Sequence, residues 1–229
     1  MSTVTSGTPT PTRRRQERAA VTREALLDAA LHEFAAHGFD GASTRAIATR
    51  AGTHQPQINY HFESKEALWQ AAVDHLFERL DRIMREHDAF GAVATSGRDG
   101  FAQSIRAFVR AAAELPELHR IMVHEATVDS DRLAWIVERH TRPRFELITG
   151  VWRELRAAGD VPDIDELVLY YTVVGAASLA YSNAPEARRL GHDTLAPDFV
   201  EHHADALVTM LLGPSLDRPP NRGATDDAS

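Results

Sequence analysis

The chain has 229 residues, 43% of them hydrophobic and 25% charged, with a net charge of −8. That suits a globular protein of one or two compact units. With no cysteine, disulfides, thiol catalysis and Cys-ligated zinc are excluded. The longest apolar run, Leu167 to Tyr181, has 15 residues, short of the ~20 that span a bilayer. Residues 1–20 lack the apolar segment of a secretory leader, so a cytoplasmic protein without a membrane partner is expected. Up to residue 62 there are seven arginines and five acids; beyond it, eighteen basic residues and twenty-eight acids. A basic front and an acidic rear suit a protein that meets a polyanion with one end.

Residues 1–12 are rich in Ser, Thr, Pro and Gly and are expected to be disordered. With Arg13, Arg14, Arg15 and Arg18 they form a basic arm over residues 1–20. The arm suits phosphate or minor-groove contacts, or is simply a solvated charge run. Thr22 is placed to cap a first helix with Leu27, Ala30, Leu31 and Phe34 inward, closed by Gly38. Ser43 caps a second, with Thr44 and Arg45 in its first turn, where free backbone N–H groups can seat a phosphate. Ile47, Ala48 and Ala51 share its buried face, and Gly52 ends it. Pro56 then fits the first turn of a third helix, which turns Ile58 and Phe62 inward. Gln55, Gln57, Asn59, Tyr60 and His61 remain outside. This helix–turn–helix exposes amides and aromatic donors with almost no net charge, the chemistry that reads base edges in a major groove.

Ser64 caps a long helix over 64–87, with Leu68, Ala72, Leu76, Leu80 and Ile83 on one side. Residues 89–100 read as a domain boundary. Only helices are expected beyond it, and Pro143 should break or kink the one it enters. Asp163 or Asp165 caps a helix through Tyr181 that is apolar nearly all round. A last helix ends at Gly213, and residues 214–229 form a disordered tail. No alternating strand pattern appears. The twelve histidines lack metal-ligand spacing, and His124 and Glu125 diverge with no nucleophile beside them. No metal, no cofactor and no enzyme activity are expected.

The stretches Thr22 to Phe39, Ser43 to Ala48 and Tyr60 to Leu68 occur together and in order. Over roughly residues 22–75 the chain resembles the DNA-binding half of the TetR/AcrR family of bacterial transcriptional regulators. Asn59 departs from the pattern, standing where the family often has an aromatic residue. The resemblance implies an all-α fold of about nine helices. A three-helix DNA-binding bundle (21–66) would precede a ligand-binding and dimerisation bundle (67–213). The expected DNA contacts are Ser43, Thr44, Arg45, Gln55, Pro56, Gln57, Asn59, Tyr60, His61 and Lys65. A homodimer would form through the last two long helices, with Leu167, Val174, Ala177, Ser178, Tyr181, Leu207, Met210 and Leu211 at its interface. A largely apolar small-molecule effector would lie among Phe108, Met122, Glu125, Trp135, Trp152, Tyr170 and Tyr171, which read equally well as plain core. The function implied is a ligand-responsive repressor on a double-stranded inverted-repeat operator. The alternatives are an effector-independent DNA-binding protein, or a helical interaction module or enzyme with a vestigial front.

Overall fold

Residues 11–87, 89 and 97–213 are described by a computed structural model, and every regular element among them is a helix. They are α1 (Pro11–Gly41), α2 (Thr44–Arg50), α3 (Gln55–His61), α4 (Lys65–Glu86), α5 (Gly97–Glu114) and α6 (Pro116–Ala126). There follow α7 (Asp131–Ile136), a π turn (Val137–Thr141), α8 (Arg142–Ala158), α9 (Glu166–Ser182), α10 (Ala184–Arg189) and α11 (Pro197–Leu212). The expected tail at 214–229, most of the boundary segment and the first ten residues of the arm lie outside the described residues.

α1 begins at Pro11 rather than at Thr22. Thr22 is not a cap: its hydroxyl donates to the Arg18 carbonyl one turn back, at 3.0 Å, as an interior helical residue does. The arginine run therefore continues the helix instead of forming a disordered arm, although the side chains of Arg13, Arg14 and Arg15 lie outside the described residues. Gly38 interrupts α1 with φ of 66°, a conformation that side chains resist. The His124 ring of α6 also lies where a Cβ would meet it at 3.3 Å, so this glycine admits α6 against α1.

Two cores result. The first gathers Leu26, Ala30, Leu31 and Phe34 of α1, Ile47 and Ile58 of the helix–turn–helix, and the α4 stripe from Leu68 to Ile83. The expected division at 66/67 thus falls inside α4, whose apolar side belongs to the front core. The second lies among α5, α8, α9 and α11, around Phe101, Trp152, Leu169, Tyr181 and Leu207.

The interruption expected from Pro143 takes the form of the π turn. Proline offers no N–H to the Arg139 carbonyl one turn earlier, and an extra residue in the turn absorbs the missing bond. The π turn and the start of α8 grip α4. Arg139 Nε lies 2.6 Å from Asp74 Oδ1, and Arg144 Nη2 lies 2.6 Å from Asp81 Oδ1. The His140 ring stacks on Phe77 at 4.2 Å, only 4° from parallel.

Leu76 is fully buried in the front core. Leu76→Ala should lower the unfolding free energy by about 2–5 kcal/mol in urea titrations. Burial also holds His61, His119, His140 and His203 below the ordinary imidazole value of 6.5. Each takes up its proton more readily when unfolded, so their contribution is full above 6.5 and is lost as the pH falls through and below it. Thermal melts should give a lower midpoint at pH 5.5 than at pH 7.5.

Candidate nucleic-acid interface

The front end is built by caps. Ser43 Oγ accepts from the Ala46 amide at 3.3 Å, while the Ser43 amide donates to buried Glu33 of α1 at 3.2 Å. The second bond ties the start of α2 to α1. The end of α2 is a paired reversal: Thr53 N–H donates to Ala48 O at 2.9 Å and Gly52 N–H to Thr49 O at 3.1 Å, with Gly52 at φ of 66°. This six-to-one and five-to-two pattern needs a left-handed residue at Gly52. It turns the chain directly into α3, whose second residue is Pro56.

α3 turns one side chain, Ile58, into the front core, and Phe62 follows it in at the end of the helix. Gln55, Pro56, Gln57, Asn59 and Tyr60 are all exposed, Tyr60 to 68%. Tyr60 stands edge-on to His61 at 5.0 Å. Gln55 Nε2 donates to Thr44 Oγ1 at 3.4 Å, so the starts of α2 and α3 meet. Arg45 is exposed on the same side. Lys65, first in α4 behind the Ser64 cap, donates to the Asp40 carbonyl at 3.3 Å with its ammonium 4.9 Å over the Phe39 ring. Gln55, Pro56, Gln57, Asn59 and Tyr60 are thus exposed on α3, the start of α2 touches the start of α3, and Thr44, His61 and Lys65 are partly buried.

Two arginines were not singled out from the sequence. Arg50 is exposed at the end of α2 and lines a shallow groove with Glu33, Ser43, Arg45, Ala46 and Thr49. Arg23 of α1 lies 5.3 Å over the Phe62 ring, and after burial its charge is the further influence holding His61 below 6.5. Arg50 was visible as a basic last residue on the polar side of α2. Arg23 reaches α3 only through tertiary packing, for which the sequence carries no local signal.

The effector and dimer residues fare differently. Phe108, Met122 and Trp135 pack on the front core, with Phe108 touching both cores. Trp152 is fully buried in the second core, with its Nε1 donating to Ile164 O at 2.9 Å. Glu125 is buried and paired with Arg132 at 3.0 Å. Tyr170 sits edge-on to Phe145, while Tyr171 is 67% exposed. The seven are thus spread over the front core, the second core and the surface. Of the expected interface, Ala177, Ser178, Tyr181, Leu207 and Leu211 are already buried within the chain. Leu167 and Met210 are exposed, and Val174 partly so. The face that does emerge on α9 and α11 carries Leu167, Val168, Tyr171, Leu179 and Met210.

Residues 26–72 match the model of the bacterial regulatory proteins of the tetR family. Over this front segment the chain is similar to the tetR family. Over 87 residues it is 36% identical to an uncharacterized HTH-type transcriptional regulator in the dhlA 5′ region of Xanthobacter autotrophicus, covering 38% of this chain and 41% of the relative. Over 70 residues it is 34% identical to the class D tetracycline repressor protein of Escherichia coli, covering 31% and 29%. The chain thus spans less than half the length of the curated relatives it matches. The fold extends further. The structure of AibR in complex with isovaleryl coenzyme A and operator DNA superposes with a TM-score of 0.62 at 18% identity, over 84% of this chain and 99% of that one. Among the described residues, no helix is long and apolar enough to cross a membrane.

Tyr60→Ala should leave stability within about 0.5 kcal/mol of the wild type, as exposed substitutions do. It should nonetheless weaken duplex binding in fluorescence anisotropy. Arg45→Ala should weaken binding on every sequence and reduce the slope of log affinity against log salt by about 1.

Proposed function

We propose that the chain is a DNA-binding transcriptional regulator, acting as a homodimer on an inverted-repeat operator and released from it by a small molecule. The carrying observation is the exposure of Gln55, Gln57, Asn59 and Tyr60 on a helix that buries only Ile58. Side chains with no structural task beyond the Gln55–Thr44 bond, flanked by Ser43, Thr44, Arg45 and Lys65, have the chemistry to read bases while their neighbours hold phosphates.

A single α3 contacts too few base pairs for useful specificity. A two-fold pair reads half-sites roughly 34 Å apart, or a multiple of that. The exposed apolar residues of α9 and α11 support such a pair, since an apolar patch of this kind on one face favours association. Repression relieved by a ligand is supported by the likeness to the operator- and isovaleryl coenzyme A-bound AibR. A ligand acts this way only if it binds the DNA-free form more tightly than the DNA-bound form. A DNA-binding regulator with no resident enzymatic activity, working in the cytoplasm, fits these features.

Selection of bound duplexes from a random pool tests the reading, with an inverted repeat as the expected winner. Leu179→Arg, on the exposed side of α9, should yield a monomer in sedimentation that keeps its fold but prefers the palindrome to a half-site no longer. Failure to enrich any duplex at low salt would remove the proposal.

A further inference from the structure

Between Gln16 and Ala25 no residue of α1 is buried. This stretch gives the front core no buried side chain, so its polar groups are free for another task. Its course is set by the contacts that follow it. Glu33 meets the start of α2 at Ser43, Asp28 and Ala29 share a groove with Arg50 and Ala51 at the end of α2, and Arg23 stands over Phe62 at the end of α3. Followed backwards, α1 therefore leads from the start of α2 to the far end of α3.

Arg23 is exposed, with its guanidinium 5.3 Å from the centre of the Phe62 ring. The half-buried His61 ring is near enough to feel that charge. Among the described residues, neither side chain makes a hydrogen bond or an ion pair. Arg106, Arg110, Arg139, Arg144 and Arg153 by contrast each hold a carboxylate. Two donor groups brought together without an acid to share gain nothing from one another, but they suit a phosphate.

The other end of α3 is flanked in the same way, since Gln55 meets Thr44 beside the exposed Arg45. α3 has seven residues. At 1.5 Å per residue that is about 10 Å, against a major groove about 12 Å wide. Cations at its two ends are thus spaced for the two backbones that border the groove.

We propose that Arg23, with His61 beside it, holds a DNA phosphate on the strand opposite the one held by Arg45. α1 is then a DNA-contacting element, and α3 is clamped at both ends. The planar guanidinium matches a phosphate with paired donors, and the Phe62 ring beneath it steadies its orientation. The contact carries no sequence information and sets how α3 sits in the groove. It rests on the proposed function and adds a residue to that same surface.

The test uses the full chain, the duplex enriched from the random pool, and copies of that duplex with one neutral methylphosphonate at a time. Anisotropy titrations over a range of salt compare wild type, Arg23→Gln, Arg23→Lys and Arg45→Ala, with thermal midpoints measured alongside. Arg23→Gln should weaken binding about tenfold at low salt and reduce the slope of log affinity against log salt by about 1. Arg23→Lys, which keeps the charge, should keep the slope. One methylphosphonate that weakens wild-type binding should no longer matter to Arg23→Gln. It should lie on the other strand from the one to which Arg45→Ala becomes indifferent. A lower midpoint for Arg23→Gln with the slope and the methylphosphonate pattern unchanged would make Arg23 a packing residue only, and would overturn the inference. Both phosphates falling on one strand would overturn it too. Either result leaves the proposed function standing, whereas a protein that binds no duplex at low salt would remove both.

Discussion

The surface proposed to read DNA hangs on the burial of Ile58. α3 has seven residues, and isolated helices shorter than about 12–15 residues are marginal in water. Its shape therefore comes from packing, through Ile58 and Phe62 against α1 and α2 and through the tight reversal at Gly52. Because two side chains anchor the helix, the others are free to be chosen for what they bind. The Glu33–Ser43 bond extends the same economy to α2, fixing the start of that helix from α1 and leaving Thr44 and Arg45 outward.

α4 carries this arrangement into the rest of the chain. One side belongs wholly to the front core, and its acidic residues Asp74 and Asp81 are held by Arg139 and Arg144. The ion pairs are partly exposed and contribute little individually. The stacking of His140 on Phe77 and the aromatic contacts of Trp69 with Trp135 hold the junction more firmly.

The front half was legible because its signals are local. Ser43, Ser64 and Gly38 mark ends by their own backbone chemistry, and Leu68 to Ile83 repeat with the helical period. The start of α1 is not legible, because an arginine run before a helix looks the same in sequence whether or not it continues that helix. The back half was harder to read for a different reason. α9 is apolar on every side, so its sequence carries no phase. Ala177 and Tyr181 face the chain's own core while Val168 and Leu179 face out, and only the packing of α5 and α11 decides this. Size and a polar tip, as on Trp135, Trp152 and Tyr170, do not say which core a side chain enters. The junction was invisible as a unit, since Trp69, Trp135 and His140 come together only through the π turn.

The central claim is that a short, nearly uncharged helix held by Ile58 is the part that enters DNA. Hydrogen exchange of the full chain, measured with and without a selected duplex, tests it most directly. The expected result is slowed exchange at 43–46, 55–61 and the start of α4, with the second core unchanged. Protection confined to the C-terminal helices, with residues 55–61 exchanging as in the free protein, would contradict it.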